Sequence, residues 1–200
     1  TDVDPMGLPA EEEPLPMETG VELRRLRAGN RGSMGMAVDG FELQAVLRDL
    51  IPPENLGLER LHIIFTNRLA ATWAPDDLRY HLRTIILGQP AIISTSGLVE
   101  APAKPREYYL AKQALPGDEA ALVTVRADLA GRFLEHDDPR LTEVAKGYLL
   151  QAAFYLFFGE AFCDNPECRL YNAHWQEEML AAQTGPEAGL CSKHKKMIVD

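Results

Sequence analysis

Hydrophobic residues spaced three and four positions apart predict the first helix of the folded body. They are Phe41, Leu43, Val46, Leu47 and Leu50. Pro52 and Pro53 follow them, and proline cannot supply the backbone N–H that a helix interior needs. We therefore expect one amphipathic helix that ends before residue 52.

Two continuous apolar runs predict buried strands. These runs are LHIIFT, residues 61–66, and AIISTS, residues 91–96. Short runs that are rich in β-branched residues are typical of strands covered on both faces. We therefore expect two buried strands with a further element between them.

The stretch between these strands has a helical pattern over residues 73–87. The sequence Pro-Asp-Asp at 75–77 is typical of a helix start, where acidic residues interact favourably with the helix dipole. Apolar residues at helical spacing, with His81 among them, would form the inner face. A glycine and a proline follow and would end the helix. On this interpretation, His81 is a core histidine.

The second half of the chain contains one irregular segment and two helical patterns. Prolines interrupt residues 97–115, which we expect to be irregular or to form a sheet edge. Residues 119–134 and 142–158 have apolar positions at helical spacing. The second pattern, TEVAKGYLLQAAFYLFF, starts at Thr142 and is followed by Gly159. Because it becomes apolar on all sides, we expect it to be buried.

Composition separates a tail from the body. Residues 1–20 contain four prolines and six acidic residues but no aromatic residue, so they bury too little apolar surface to offset the entropy of ordering. We expect residues 1–35 to be a flexible acidic tail and linker. Residues 36–200 then form a single α+β domain, a small mixed sheet with helices packed on it.

The balance of charges limits the partners of this protein. Twenty basic residues against thirty acidic ones give a formal net charge of −10, which repels nucleic acids and anionic membrane surfaces. No stretch has the roughly 20 apolar residues that span a bilayer, and the N-terminus has no secretion signal. We therefore expect a cytoplasmic protein without nucleic-acid or membrane partners. The sequence leaves its oligomeric state open.

Three cysteines and a histidine near the C-terminus have the spacing of metal ligands. They are Cys163, Cys168, Cys191 and His194, in the pattern CxxxxC followed by CxxH, with an Asn-Pro turn inside the first pair. Two such pairs suit the tetrahedral coordination of zinc, and three cysteines cannot all pair as disulfides. Four protein ligands leave no position for water, so we predict one structural zinc ion. The alternative is that the cysteines are only small buried side chains.

The connector between the two ligand pairs, HWQEEMLAAQ at 174–183, predicts a helical lid. His174 lies four residues before Glu178, so both side chains would share a helix face. We interpret them as hydrogen-bonding support for the zinc site, with substrate contact as the alternative role of His174. The apolar residues that we expect to pack inward are Trp175, Met179 and Leu180.

The end of the long helix and the cysteines after it resemble the archaemetzincins, a family of zinc peptidases. Their motif is HExxHxxGxxHC, followed after four residues by a second cysteine and later by a CxxC pair. In AAFYLFFGEAFCDNPEC, residues 152–168, Gly159, Cys163 and Cys168 keep this register, and CSKH at 191–194 is similar to the last pair, with histidine replacing a cysteine. The resemblance implies a zincin-like fold and a structural zinc ion held by these residues.

The catalytic part of that motif is changed in this chain. Ala152 and Leu156 stand at the positions of the first two histidine ligands, Ala153 at the general-base glutamate and Phe162 at the third ligand. None of these side chains can coordinate a metal. The resemblance therefore implies a degenerate site, in a protein that binds a peptide or protein without peptidase activity. The alternative is a zinc-dependent hydrolase with rearranged ligands.

Two further stretches, IISTSGLVEAPAKPREYYL and CRLYNAHWQEEML, resemble archaeal proteins that are described as metallopeptidases on fold analogy. The first contains many polar and aromatic residues close together, and we expect any further functional pocket to be formed by this group. The alternative is that its tyrosines pack and its arginine pairs with a carboxylate. The members of this group are Glu100, Lys104, Arg106, Glu107, Tyr108 and Tyr109.

His136 is a further candidate, because it lies among acidic residues in LEHDDPR. With Asp137 it could bind a metal ion or hold a proton. The simpler interpretation is a polar loop before the long helix, whose carboxylates interact with the helix dipole. A hydrolase with rearranged ligands would draw on this loop, on His174 and on residues 100–109.

Overall fold

A computed structural model describes Gly20, Arg24 and residues 36–199 of the chain. Contacts divide the chain into two units, Thr1–Arg31 and Gly32–Asp200, and the fold given below belongs to the second. The tail and linker expected over 1–35 lie outside the described residues, apart from Gly20 and Arg24. That expectation, and the extent of the single domain, stay predictions.

Six strands and seven α-helices make up the described part of the second unit. The strands are β1 (Ala37–Asp39), β2 (Ile63–Thr66), β3 (Leu69–Ala74), β4 (Arg79–Arg83), β5 (Ile85–Ile86) and β6 (Ala91–Ser94). The helices are α1 (Gly40–Arg48), α2 (Thr95–Glu100), α3 (Arg106–Ala114), α4 (Glu119–Asp128), α5 (Leu141–Phe158), α6 (Gln176–Thr184) and α7 (Ser192–Val199). None of these described helices has the length and apolar character needed to cross a membrane.

The strands form two small mixed sheets. The α+β class is therefore confirmed, but there are two sheets where we expected one. In the first sheet the order is β1-β3-β4, with β1 parallel and β4 antiparallel to β3. In the second the order is β2-β6-β5, with β2 parallel and β5 antiparallel to β6. Only Thr84 separates β4 from β5, and its carbonyl oxygen accepts a hydrogen bond from the Ser94 N–H at 2.9 Å. Among the described strands, β4 lies at the edge of its sheet.

Four predicted elements are confirmed close to their predicted bounds. The helix expected over 41–50 is α1, and the Asp39 carboxylate caps it by accepting hydrogen bonds from the N–H groups of Phe41 and Glu42. The two apolar runs are β2 and β6. The long helix is α5, and Gly159 ends it with a φ of 69°, a conformation that glycine adopts most readily.

The prediction of a helix over 73–87 is wrong. This stretch contains the end of β3, the hairpin turn, β4 and then β5. The Pro-Asp-Asp sequence belongs to the hairpin turn, for which these residues are equally suited. Trp73 pairs with Tyr80 across the hairpin, with the two rings edge to face at 5.3 Å. His81 consequently lies on β4, where its Nε2 is 2.8 Å from Asp77, and not on a helix face.

Residues 97–115, expected to be irregular, contain most of α2 and all of α3. The Ser94 hydroxyl caps α2 by accepting a backbone hydrogen bond. Pro105 stands directly before α3, at a helix start where its missing N–H costs nothing. The helix predicted over 119–134 is α4, which ends earlier because Gly131 turns the chain with a φ of 84°.

The main core lies between the sheets, α5 and α6. It contains Ile93 from β6, Leu98 from α2, Val144 from α5 and Met179 from α6, so the inward packing of Met179 is confirmed. The expected burial of α5 on all sides is wrong, because the end of this helix exposes aromatic rings to solvent. The exposed rings are Tyr155, Phe157 and Phe158, at 42, 52 and 42%.

One buried polar side chain ties α6 to this core. Gln176 is fully buried, and its Nε2 donates hydrogen bonds to the carbonyl oxygens of Leu98 and Val99 at 2.9 and 3.1 Å. Its Oε1 accepts a hydrogen bond from the Leu134 N–H at 3.2 Å. Because α6 turns Gln176 inward, the preceding Trp175 is 42% exposed, and the prediction that Trp175 packs inward is wrong.

Replacing Gln176 by leucine should destabilise the domain. The substitution leaves the Leu98 carbonyl oxygen and the Leu134 N–H without their Gln176 partner, and each such group costs about 1–3 kcal/mol, whereas the Val99 carbonyl oxygen keeps a hydrogen bond from Lys104 Nζ at 3.4 Å. We expect the free energy of unfolding in urea to fall by at least ~2 kcal/mol. The exposed Gln113→Leu in α3 is the control and should change it by less than ~0.5 kcal/mol. Equal effects of the two substitutions would contradict the role given to Gln176.

Candidate functional site

The four predicted metal ligands converge after the end of α5. Cys163, Cys168, Cys191 and His194 present ligand atoms that all lie within 4.8 Å of one another. The Sγ atoms of Cys163 and Cys191 are 4.0 Å apart, and His194 Nδ1 lies 3.1 Å from Cys191 Sγ and 3.6 Å from Cys168 Sγ. In a zinc tetrahedron, sulfur atoms are about 3.8 Å apart and sulfur and nitrogen about 3.5 Å. The donor set and its spacing therefore fit a zinc ion.

A short turn positions the first two cysteines. The Cys163 N–H donates a hydrogen bond to the Leu170 carbonyl oxygen at 2.8 Å, and the Cys168 N–H donates to the Asn165 carbonyl oxygen at 3.0 Å. The Asn165 side chain accepts a further bond from the Glu167 N–H at 3.0 Å, as asparagine commonly does in turns. The turn expected from the Asn-Pro sequence is therefore confirmed.

Backbone N–H groups point at the sulfur atoms and favour their charged form. The Asn165 N–H lies 3.4 Å from Cys163 Sγ, and the Cys191 N–H lies 3.5 Å from Cys168 Sγ. Burial acts to raise the pKa of Cys191, but hydrogen bonds from His194 and the other two cysteines outweigh it and lower this pKa to about 6. Burial raises the pKa of Cys163 to about 11. Metal binding at neutral pH therefore has to displace the Cys163 proton.

The buried ring of His194 has a carboxylate behind it. His194 Nδ1 faces the sulfur atoms, while Nε2 lies 3.6 Å from Glu160 Oε1, slightly beyond hydrogen-bond distance, and has no other polar partner in the described part of the chain. Glu160 also forms an ion pair with Lys193, and that hydrogen bond is the main cause that lowers its pKa. A carboxylate in this place fixes the tautomer of a ligand histidine.

Ion pairs and hydrogen bonds fasten the metal group to α5 and α6. Arg169, next to Cys168, forms an ion pair with Glu143 of α5 and donates to the Gln183 carbonyl oxygen at 3.1 Å. The Gln183 side chain donates back to the Arg169 carbonyl oxygen at 2.8 Å. Hydrogen bonds from Lys146 and Arg169 lower the pKa of Glu143 to about 2. The loop is therefore held even where it has no regular secondary structure.

A cleft of about 810 Å³ reaches Phe162, the residue before Cys163. Strands β4 and β5 line it from one side, together with Thr84 between them. Parts of α5 and of the segments 100–103 and 171–174 also line it. The lining residues from α5 are Tyr148, Gln151 and Tyr155. The cleft thus combines an edge strand, a helix face and two loops.

The positions that the archaemetzincin motif would use for catalysis lie elsewhere on α5. Ala152 is buried in the core, and Ala153 and Leu156 are partly buried and do not line the cleft, whereas Phe162 does. The Cys3His group is the only set of three or more His, Cys, Asp or Glu side chains within the described residues that could hold a metal ion.

Glu178 caps α6. Its carboxylate accepts hydrogen bonds from the N–H groups of His174 and Trp175 at 3.0 and 3.1 Å. The expectation that His174 and Glu178 share a helix face is wrong, because α6 begins only at Gln176. Glu178 therefore supports the lid through backbone groups and not through the imidazole of His174.

The remaining candidates lie around the cleft. The exposed His174 and the half-exposed Tyr109 line it, and the Tyr109 hydroxyl accepts a hydrogen bond from the Lys104 N–H at 3.0 Å. Glu100 also lines the cleft, and its Oε1 lies 3.4 Å from His136 Nε2. The structure thus brings three of the predicted polar residues to one cleft and places His136 behind one of them.

Three features of the site differ from what the sequence predicts or are not predicted by it. The helical pattern over 73–87 predicts a helix where β4 lies, although the alternation of polar and apolar residues in RYHLR favours a strand. Gln151 is a single polar residue in a long apolar run, which was a usable indication of a special role. Glu160 offered no such indication, because only the fold brings it to His194.

Removing the metal should release the C-terminal part of the domain, because binding energy at such sites is also folding energy. Hydrogen exchange of the zinc-loaded protein, measured with and without a strong chelator, should lose protection over residues 163–199, while β2 and β6 keep theirs. The variant Cys168→Ser should show the same loss and should no longer respond to the chelator. Unchanged protection in both cases would contradict a structural metal.

The variant Glu160→Gln should weaken zinc binding about tenfold, because loss of the carboxylate behind a ligand histidine costs 10–100-fold in affinity. Competition with a chromogenic chelator at neutral pH measures the effect. His194→Cys is the matched control, since it keeps four donors but removes the ring, and Glu160→Gln should have little effect in that background. Equal losses in both backgrounds would show that Glu160 does not act through His194.

Comparison with family models matches residues 7–200, which include both the metal group and the cleft. The description of the matching family is Probable metallopeptidase family (DUF6775). No curated protein and no solved structure matches the chain. Because the match covers far more than half of its residues, the chain belongs to this probable metallopeptidase family.

Proposed function

We propose that the protein is an archaemetzincin-like member of this family that holds one structural zinc ion and binds an extended peptide without peptidase activity. The observation that carries the proposal is that the candidate zinc ligands lie outside the cleft. The donors that suit zinc are gathered in the Cys3His group, whereas α5 contributes Tyr148, Gln151 and Tyr155 to the cleft. Zinc in proteins is bound by cysteine, histidine and carboxylate groups, so this helix face offers it no suitable ligand.

The composition of the metal group supports a structural role. Three thiolates and one imidazole complete a tetrahedron, so no coordination position is left for the water that a catalytic zinc ion activates. Cys168 and His194 are also fully buried, away from any substrate. Bound zinc would cross-link the segments that carry these residues. The relation to archaemetzincins is supported by the spacing of Gly159, Cys163 and Cys168.

The form of the cleft supports peptide binding. An edge strand offers unpaired backbone groups to an extended chain, which can add to the sheet as a further strand, and β4 is an edge strand of its sheet within the described residues. Tyr155 and Phe162, each 42% exposed, and Tyr109 offer aromatic surface to the side chains of a bound peptide. The volume of about 810 Å³ lies in the range of protein ligand sites.

The same proposal includes a cytoplasmic location and a peptide or protein as the partner. The three cysteines are all free thiols, which a reducing compartment maintains. The net charge of −10 speaks against nucleic acids and anionic membranes as partners.

Metal analysis tests the proposal directly. We expect one zinc ion per chain in the purified protein, because the Cys3His group alone supplies a full set of donors in the part of the chain that the structure describes. The variant Cys191→Ala should lose this ion, and the wild-type protein should show no peptidase activity towards a mixture of randomised peptides. Two zinc ions per chain, or peptidase activity that zinc restores after chelation, would contradict the absence of a catalytic site.

A hydrolase with rearranged groups is the second candidate, and the cleft wall favours it. Glu100, Tyr109 and His174 line the cleft, and His136 lies against Glu100, so an acid–base pair adjoins the place where a peptide would lie. If this function holds, peptidase activity should survive in a folded Cys191→Ala protein and should be lost in Glu100→Gln. Activity that depends on Cys191 instead would assign the zinc group, and not this pair, to the reaction.

A further inference from the structure

Gln151 is a polar residue in the middle of the most apolar helix of the chain. Its side chain is 1% exposed, yet it lines the cleft together with Tyr148 and Tyr155, which lie on the same helix face. Its Nε2 donates a hydrogen bond to the Tyr171 carbonyl oxygen at 3.3 Å, whereas its Oε1 has no hydrogen-bond partner among the described residues. If the side-chain amide of Gln151 were rotated by 180°, Oε1 would face the Tyr171 carbonyl oxygen, and two hydrogen-bond acceptors would repel each other. The bond from Nε2 to Tyr171 therefore fixes the direction of Oε1.

A buried carbonyl oxygen without a partner is rare, because it has given up its hydrogen bonds to water and gained none. Gln183 is the one other glutamine with such an oxygen in the described chain, and it provides a contrast. Its Oε1 fills the space over Gly147, where even a Cβ atom would overlap it, and Gln183 does not line the cleft. The oxygen of Gln183 is therefore used in packing, whereas Gln151 belongs to the wall of the cleft.

The part of the cleft wall formed by α5 disfavours a charged ligand group, although Arg79 and Arg83 of β4 and Glu100 of α2 also line the cleft. Burial raises the pKa of Tyr148 to about 12, so its hydroxyl stays protonated, and it hydrogen-bonds with Thr84. The other cleft residues from α5 are also uncharged. A ligand ammonium group would exchange its hydration for a single neutral acceptor, which is costly in a buried place. A carboxylate has no hydrogen to donate and would be repelled by Oε1.

We propose that Gln151 forms a subsite of the cleft in which Oε1 accepts a hydrogen bond from a neutral N–H donor of the bound peptide. The side-chain carboxamide of asparagine or glutamine fits best, because one of its two N–H groups can bond to Oε1 while the other reaches a second acceptor such as the Tyr171 carbonyl oxygen. This inference rests on the peptide-binding function proposed above. It adds the chemical class of side chain that the cleft selects.

The test compares three pools of capped pentapeptides on the immobilised, zinc-loaded full chain. The central residue is fixed as asparagine, leucine or aspartate, which are similar in size, and the flanking positions are randomised. Mass spectrometry quantifies the retained peptides. We expect about tenfold more retention of the asparagine pool than of the leucine pool, because only asparagine satisfies the buried oxygen. The aspartate pool should be retained least.

Two variants assign the preference to one residue. Gln151→Met keeps the volume of the side chain but removes the acceptor, so it should retain the asparagine and leucine pools equally. Gln183→Met is the matched control, and it should keep the preference of the wild-type protein. Zinc content and thermal unfolding check that each variant is folded. If Gln151→Met does not fold, the shift of the Gln151 side-chain amide signals in wild-type protein, seen with the asparagine pool alone, decides instead.

The outcomes distinguish a failure of the Gln151 subsite from a failure of the peptide-binding function on which it rests. Equal retention of all three pools would overturn the subsite but leave peptide binding in place. A preference for asparagine that persists in Gln151→Met would also overturn it, because another residue would then recognise the carboxamide. Retention of none of the pools would overturn the peptide-binding function and the subsite together.

Discussion

The convergence of four donor atoms within 4.8 Å is the constraint on which the C-terminal segment depends. Between Cys163 and Cys191 the chain has one helix, and the rest consists of turns joined by isolated bridges. Hydrogen bonds of the turns and bridges, such as the bond from the Arg169 N–H to the Gly189 carbonyl oxygen at 2.9 Å, tie parts of this segment together without a continuous sheet. The N–H groups directed at sulfur and the pair of Arg169 with Glu143 orient the donors in advance. A bound metal ion would then add binding energy that is also folding energy.

Helix α5 connects the Cys3His group to the cleft. One side of the helix packs into the core through Val144 and Ala152, and another side presents Tyr148 and Gln151 to the cleft. After α5 ends, the chain passes through Phe162, which lines the cleft, directly into the first ligand cysteine. A metal ion bound to Cys163 would therefore also fix one end of the cleft. It would influence ligand binding without taking part in chemistry.

Locally encoded features of this protein could be predicted from the sequence, whereas features that depend on distant pairing could not. The end of α1 follows from the prolines at 52 and 53 and the end of α5 from Gly159, and the Cys3His group follows from the spacing of the cysteines. The stretch 73–87 has a helical period but becomes a hairpin and β5, because β4 pairs with β3 just before it and β5 pairs with β6 just after it, and this pairing overrides the helical pattern. Prolines suggested an irregular segment over 97–115, yet Pro105 stands at a helix start. Glu160 and Gln151 acquire their roles only from side chains that are distant in sequence.

The chemistry open to the cleft does not depend on how the archaemetzincin motif is aligned with α5. Residues four positions apart share a helix face, so a histidine pair that holds a catalytic ion must occupy such a pair of positions. The pair that lines the cleft is Gln151 and Tyr155, whereas the motif register selects Ala152 and Leu156. Neither pair contains an imidazole, a thiolate or a carboxylate. With either alignment this helix face can recognise a ligand through hydrogen bonds and apolar contact, but it lacks the donors needed to coordinate a catalytic zinc ion.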